Sequence, residues 1–328
     1  METKPTKSHI SDSLKSEKQR TDLGFGSKIT DSESRLINPD GTFNVERIKT
    51  PFWSWLNPFH RLTTMSWPLF LLIVFISFFL TNVFFSTIYI LIGTEHLVGL
   101  LAGSKLEHFW EAFYFSAQTL TTVGYGRISP IGHLTSAVAA VEALVGLLAF
   151  ALATGLLYGR FSRPNPRILF SKNALIVPYN EINAFMFRII NLQQNELLDI
   201  RAEVSLTRVE TKADGTKLRK YYTLELERKQ VNFFPLSWTV VHPITDKSPL
   251  FGETAESMAN SDAEFLVYLK ATEESFLQNV SVRASYRFNQ LVWGAKFIPM
   301  FDGAHFDGKV KLDVNSVHNF ERIELNVE

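Results

Sequence analysis

Five consecutive residues, Thr122-Val123-Gly124-Tyr125-Gly126, carry the strongest chemical signal in this chain. Their chemistry is that of backbone. Glycine adopts angles that other residues resist, so Gly124 and Gly126 let successive carbonyl groups point the same way. A row of carbonyl oxygens can replace the water around a dehydrated cation. Val123 and Tyr125 can pack outward and brace such a strip, and the Thr122 hydroxyl can add oxygen at its inner end. A Gly-rich phosphate-binding loop is the competing reading. It needs a strand before the loop and a helix after it, and no such unit surrounds this segment.

Little else competes as a chemical centre. The 328 residues include no cysteine, so there is no disulfide, thiolate nucleophile or Cys-based metal site. His242, His305 and His318 are too scattered to suggest a metal site. No nucleophile–base constellation is evident, so no enzyme is expected, and no cofactor beyond a permeant ion. Basic and acidic side chains balance at 33 each, which gives no reason to expect nucleic acid as a partner.

The pentapeptide needs walls. From Trp67 to Gly93 no residue is charged, a run longer than the about 20 residues that cross a bilayer as a helix. Helices buried in soluble cores rarely stay uncharged this long. A second apolar stretch, Leu134 to Tyr158, has Glu142 as its one charge and is rich in Ala and Gly, as closely packed membrane helices are. Ionisable residues inside a span usually face protein and have a partner, so Glu142 is expected to support the 122–126 segment from behind. Between the spans, Glu107–Leu120 reads as a short helix with Ser104 and Glu107 as a capping box. It would reach about 21 Å, less than a crossing. A re-entrant helix followed by irregular chain meets the demand that non-helical backbone at membrane depth lines a water-filled cavity. Its C-terminus turns partial negative charge toward a cation there.

Arg47, Lys49 and Arg61 precede the first span, and Arg160, Arg163 and Arg167 follow the second. The connection holds only Lys105 and Arg127 as fixed positive charges. Positive charge on the cytoplasmic side therefore places both termini there. On the second span Gly146, Phe150, Thr154 and Tyr158 recur every four residues and share one side. If that side faces a pore, Phe150 lines the cavity, Tyr158 closes its cytoplasmic end as a hydrophobic constriction, and Gly146 lets the helix bend. The expected organisation is a polar, partly disordered tail over 1–49, a membrane part over 50–164, and an all-β sandwich over 165–328. Short alternating segments such as Ala202–Val209 and Ala263–Leu269 mark that sandwich.

The pentapeptide is the known filter sequence of potassium channels. The pore stretch Phe115–Gly126, the inner-helix end Leu156–Pro164 and Ile168–Ile176 extend the likeness. So do Leu236–Thr254, Ala263–Leu269 and Ser285–Phe297 in the soluble part. Together they resemble the prokaryotic inward-rectifier potassium channels of the KirBac type. The resemblance implies K⁺ bound at Thr122, Val123, Gly124 and Tyr125, within a filter that ends at Gly126. One chain supplies one strip, so a closed pore implies a homotetramer. The resemblance further implies an immunoglobulin-like cytoplasmic sandwich, a bacterial inner membrane, and passive conduction gated at the inner-helix crossing. Neither span carries the Arg-rich row of a voltage sensor. The aromatic stretch Thr50–Leu62 corresponds to the family's interfacial slide helix. Lipid phosphates regulate the family at the inner surface, which makes Arg61, Arg160, Arg163 and Arg167 candidate contacts for anionic lipid. Phe150 stands where strongly rectifying members place an acid, so weak block by polyamines and Mg²⁺ is expected. Arg127 stands where many potassium channels carry Asp.

Overall fold

Absence of charge, well-placed caps and alternating strands build two separate units. The computed structural model describes residues 35–45, 58–164, 166–193, 196–234, 236–300 and 311–326. The chain divides into a unit of Lys49–Arg163 and a unit of Met1–Ile48 with Pro164–Glu328.

In the first unit, helix α1 spans Pro58–Thr64. Helix α2 spans Trp67–Ile92 and follows Ser66, with proline in its first turn, where a missing N–H costs nothing. It stops at Gly93, whose φ of 125° suits glycine. Helix α3 spans Lys105–Leu120 and starts with the predicted capping box. Ser104 N–H donates to Glu107 Oε2 at 2.6 Å, and Glu107 N–H to Ser104 Oγ at 3.4 Å. Helix α4 spans His133–Phe161. The helices α2 and α4, of 26 and 29 residues, are long and apolar enough to cross a membrane. The shorter α3 packs against both. Strands β1 (Leu97–Val98) and β2 (Ser129–Pro130) pair antiparallel on either side of the re-entrant segment. Beneath them Phe85, Tyr89, Leu97, Ala112, Phe115 and Ile128 form one buried cluster.

The second unit is the expected sandwich. One sheet runs in the order β11 (Gln278–Arg287), β10 (Glu264–Glu273), β6 (Leu197–Thr211), β7 (Lys217–Thr223), with β8 (Gln230–Phe233) also on β6. The other runs β12 (Leu291–Trp293), β4 (Ala174–Tyr179), β5 (Ile182–Asn191), β3 (Ile168–Phe170), with β9 (Ser237–Ile244) on β5. A short helix α5 (Ala255–Asn260) and the pair β13 (Ala295–Phe297) and β14 (Phe320–Arg322) complete it. Along β9 burial alternates residue by residue, as a strand with one face on a core requires. Phe185 on β5 stacks on Phe265 on β10 at 4.4 Å and joins the sheets. These spans and this sandwich bear out the fold read from the sequence.

Residues 35–45 belong to the sandwich, not to a loose tail. Leu36 and Ile37 are buried with Tyr221 and Leu266. Their backbone N–H groups donate to the Glu264 carboxylate at 2.9 and 3.4 Å. Arg35 Nε donates to Ser285 Oγ at 2.8 Å. His305 and the slide-helix stretch 50–57 lie outside the described residues.

Candidate ion-conduction site

The pentapeptide sits directly after α3, and its backbone alternates. Thr122, Gly124 and Gly126 have φ of 60°, 53° and 82°, while Val123 and Tyr125 keep ordinary negative values. An ideal Cβ on Gly124 or Gly126 would meet nothing within 4 Å. Glycine is required there for conformation, not for space. Thr122 is the outlier, because a β-branched residue resists positive φ, and such strain persists only where surroundings impose it. The last turn of α3 imposes it here. Thr122 N–H donates to Thr119 O at 3.1 Å, and Val123 and Gly124 N–H both reach Gln118 O, at 2.9 and 3.4 Å. The N–H groups of Thr122, Val123 and Gly124 are thus turned toward α3.

Val123 and Tyr125 are 53% and 80% exposed, so nothing in the single chain braces them. Behind the strip α3 is pinned to both long helices. Tyr89 O–H on α2 donates to Glu142 Oε2 on α4 at 2.6 Å. Ser116 Oγ on α3 contacts the other Glu142 oxygen and lies 3.0 Å from Asn82 Oδ1 on α2. Asn82, Ser116 and Glu142 are fully buried. Partners were expected for Glu142; Tyr89, Ser116 and Asn82 were not identified from the sequence.

The predicted inner-helix stripe is only partly one face. Phe150, Thr154 and Tyr158 are exposed, the two aromatics by about seven-tenths. Gly146 departs from the reading of an open, pore-lining bend. It is buried, and an ideal Cβ on it would lie 1.9 Å from the carbonyl oxygen of Leu120. Four-residue steps drift about 40° each on a helix of 3.6 residues per turn. From Gly146 to Tyr158 that accumulates to about 120°, enough to carry the stripe from the α3 contact to an open side.

Arg160 has partners within the chain that the sequence did not reveal. Its guanidinium donates to the carbonyls of Leu62 and Met65 at 2.5 and 2.8 Å and lies 4.5 Å from the Trp67 ring centre. It also lies over Phe70. Arg160 therefore caps the end of α1 from α4. Arg61, Arg163 and Arg167 are exposed.

This geometry accompanies two family matches. Residues 69–163 match the model described as "Ion channel", and residues 168–327 the "Inward rectifier potassium channel C-terminal domain". The inward rectifier potassium channel Kirbac3.1 of Paramagnetospirillum magnetotacticum is 35% identical over 294 residues, 89% of this chain and 98% of that protein. The chain belongs to the inward-rectifier potassium channel family. It is an integral membrane channel for K⁺, and its family does not consist of enzymes. A solved structure of Spo0M, a sporulation control protein of Bacillus subtilis, is 16% identical and spans 38% of this chain and 47% of its own. Its TM-score of 0.22 is too low to bear on the fold. Among the described residues no group of acidic or histidine side chains is placed to hold a metal ion.

Proposed function

We propose that the chain forms a homotetrameric pore in which Thr122, Val123, Gly124, Tyr125 and Gly126 of each copy supply one strip of a K⁺-selective filter. The observation that carries this reading is the alternation of backbone angles at Thr122, Gly124 and Gly126, with N–H groups turned onto Gln118. Dehydrated K⁺ takes carbonyl oxygens of Thr122 to Tyr125 in place of water, aided by the Thr122 hydroxyl. Glu142, with Tyr89, Ser116 and Asn82, holds the pore helix in place.

Neighbouring copies cover what one chain leaves open. Val123 and Tyr125 have no packing partner to match their size, and a cavity of about 830 Å³ opens between α2 and α4 under Thr122. Such contiguous apolar surface fits an interface with further copies. Phe150 lines the inner cavity and offers polyamines and Mg²⁺ no carboxylate, so rectification is weak. Tyr158 forms the constriction at the inner end. Arg61, Arg163 and Arg167 meet anionic lipid phosphates at the inner face of a bacterial plasma membrane, with both termini cytoplasmic. Gly146 serves close packing against Leu120.

Proteoliposomes test this reading. Ba²⁺-blockable uptake of radioactive Rb⁺ is expected from the wild type, and none from Gly124→Asp in assembled tetramers. Equal uptake by that variant would overturn the assignment of the filter.

A further inference from the structure

The residue that leaves the filter is a cation held in place. Arg127 Nη2 donates to Glu111 Oε2 at 2.5 Å, and Glu111 lies in the second turn of α3. The guanidinium is 47% exposed and the carboxylate 17%. The backbone around Arg127 has little freedom. Leu97 pairs with Pro130 and Val98 with Ser129, and Ile131 N–H donates to His96 O at 2.8 Å. Ile128 is buried, and a Cβ on Gly99 would lie 1.8 Å from the Arg127 carbonyl oxygen. The Arg127 charge is therefore fixed beside the end of the strip. The nearby Glu107 is engaged with Ser104 at the helix cap. Among the described residues, Glu111 is the carboxylate that pairs with Arg127.

We propose that Glu111 sets the rate of K⁺ entry by neutralising Arg127 at the outer mouth. This rests on the filter assignment above. A cation approaching the filter still carries most of its water and is sensitive to nearby charge. With Glu111 in place, the mouth presents a closed ion pair from each copy. Without it, each copy would present a bare guanidinium, and four of them would raise the potential that incoming K⁺ must climb. Taking a separation of about one Debye length at 0.1 M, about 10 Å, such exposed charges act through water and are screened by salt over about 8 Å at physiological ionic strength and about 30 Å at 10 mM. The loss of inward conductance is then several-fold at low ionic strength and about twofold at physiological strength. A purely structural role for the pair predicts no such dependence on salt.

The test is single-channel conductance of the full-length channel in planar bilayers, at constant K⁺, with ionic strength set by N-methylglucamine chloride. Glu111→Gln lowers inward conductance, more at low ionic strength, and leaves the K⁺/Na⁺ reversal potential in place. Arg127→Gln has the opposite sign, because it leaves a carboxylate at the mouth and raises inward conductance at low salt. This second variant decides the matter if Glu111→Gln fails to assemble. Removing both charges together returns the conductance toward wild type. Wild-type conductance in Glu111→Gln, a loss independent of salt, a loss that persists in the double variant, or no rise in Arg127→Gln overturns the proposal. A wild-type channel that does not select K⁺ overturns the filter assignment instead, so the two failures are told apart.

Discussion

Replacing Gly146 with alanine adds one methyl group at the point where α4 meets the end of α3. An ideal Cβ there falls 1.9 Å from Leu120 O, 2.7 Å from its carbonyl carbon and 3.0 Å from its Cα. Cβ contacts under 3.0 Å are essentially never seen, so the two helices must part by at least about 1 Å. The obstacle is backbone, which cannot swing aside as a side chain does. Overpacking of this kind costs about 1–3 kcal/mol, and every 1.4 kcal/mol is tenfold in an equilibrium. Leu120 immediately precedes Thr121 and Thr122, so the displacement passes into the start of the filter. Rb⁺ uptake by Gly146→Ala should fall about tenfold, with tetramers still formed. Gly155→Ala is the matched comparison on the same helix, since a Cβ there meets nothing within 4 Å. Both substitutions gain the same helix propensity, about 1 kcal/mol, so the difference isolates the Leu120 contact. Wild-type flux and selectivity in Gly146→Ala would refute this reasoning, and equal losses in both variants would assign the effect to helix stiffness.

Three further outcomes follow from the same structure. Arg160→Gln should lower flux at every lipid composition, because it removes the cap on Leu62 and Met65. Arg163→Gln should only shift the dependence on anionic lipid, and flux titrations in vesicles of graded anionic content separate the two. Ser116→Ala leaves the buried Glu142 and Asn82 without their link, a loss of about 1–3 kcal/mol. It should weaken the K⁺ dependence of tetramer thermal stability relative to wild type, whereas an unchanged dependence would detach this network from the filter. His242 is buried, with Nδ1 2.6 Å from Glu225 O and Nε2 2.8 Å from Ser248 Oγ. Glu225 offers only a carbonyl, so Nδ1 carries the proton and Nε2 accepts from the hydroxyl. Burial pushes this histidine below its ordinary value of 6.5. The unfolded chain therefore takes up a proton that the folded sandwich refuses, and stability present above that range is lost as pH falls from about 6.5 through the lowered folded value. Melting curves of the channel against pH should flatten in His242→Gln, and parallel curves would contradict the assignment.

What could be read in advance was whatever local pattern decides. Missing charge marked α2 and α4, and the Ser104/Glu107 spacing marked the start of α3, because each needs only neighbours in the chain. The glycines foretold angles at Gly124 and Gly126. They did not foretell positive φ at Thr122, which its own side chain resists and which hydrogen bonds to α3 impose. The partners of Glu142 stayed hidden because Tyr89 and Ser116 lie 53 and 26 residues away. Arg160 shows the same limit. A basic cluster beside a membrane looks alike whether its guanidinium meets phosphate or two carbonyls and a tryptophan ring. Residues 35–45 look like polar tail because only Leu36 and Ile37 are deeply buried, and their burial depends on a sheet more than 200 residues further along.

The claim at the centre is that Thr122–Gly126 selects K⁺ through its backbone. Reversal potential across a planar bilayer, with K⁺ on one side and Na⁺ on the other, tests it most directly. The account predicts a reversal far from zero, in the direction of K⁺ permeability, in the wild-type tetramer. Reversal near zero, with K⁺ and Na⁺ equally permeant, would contradict it.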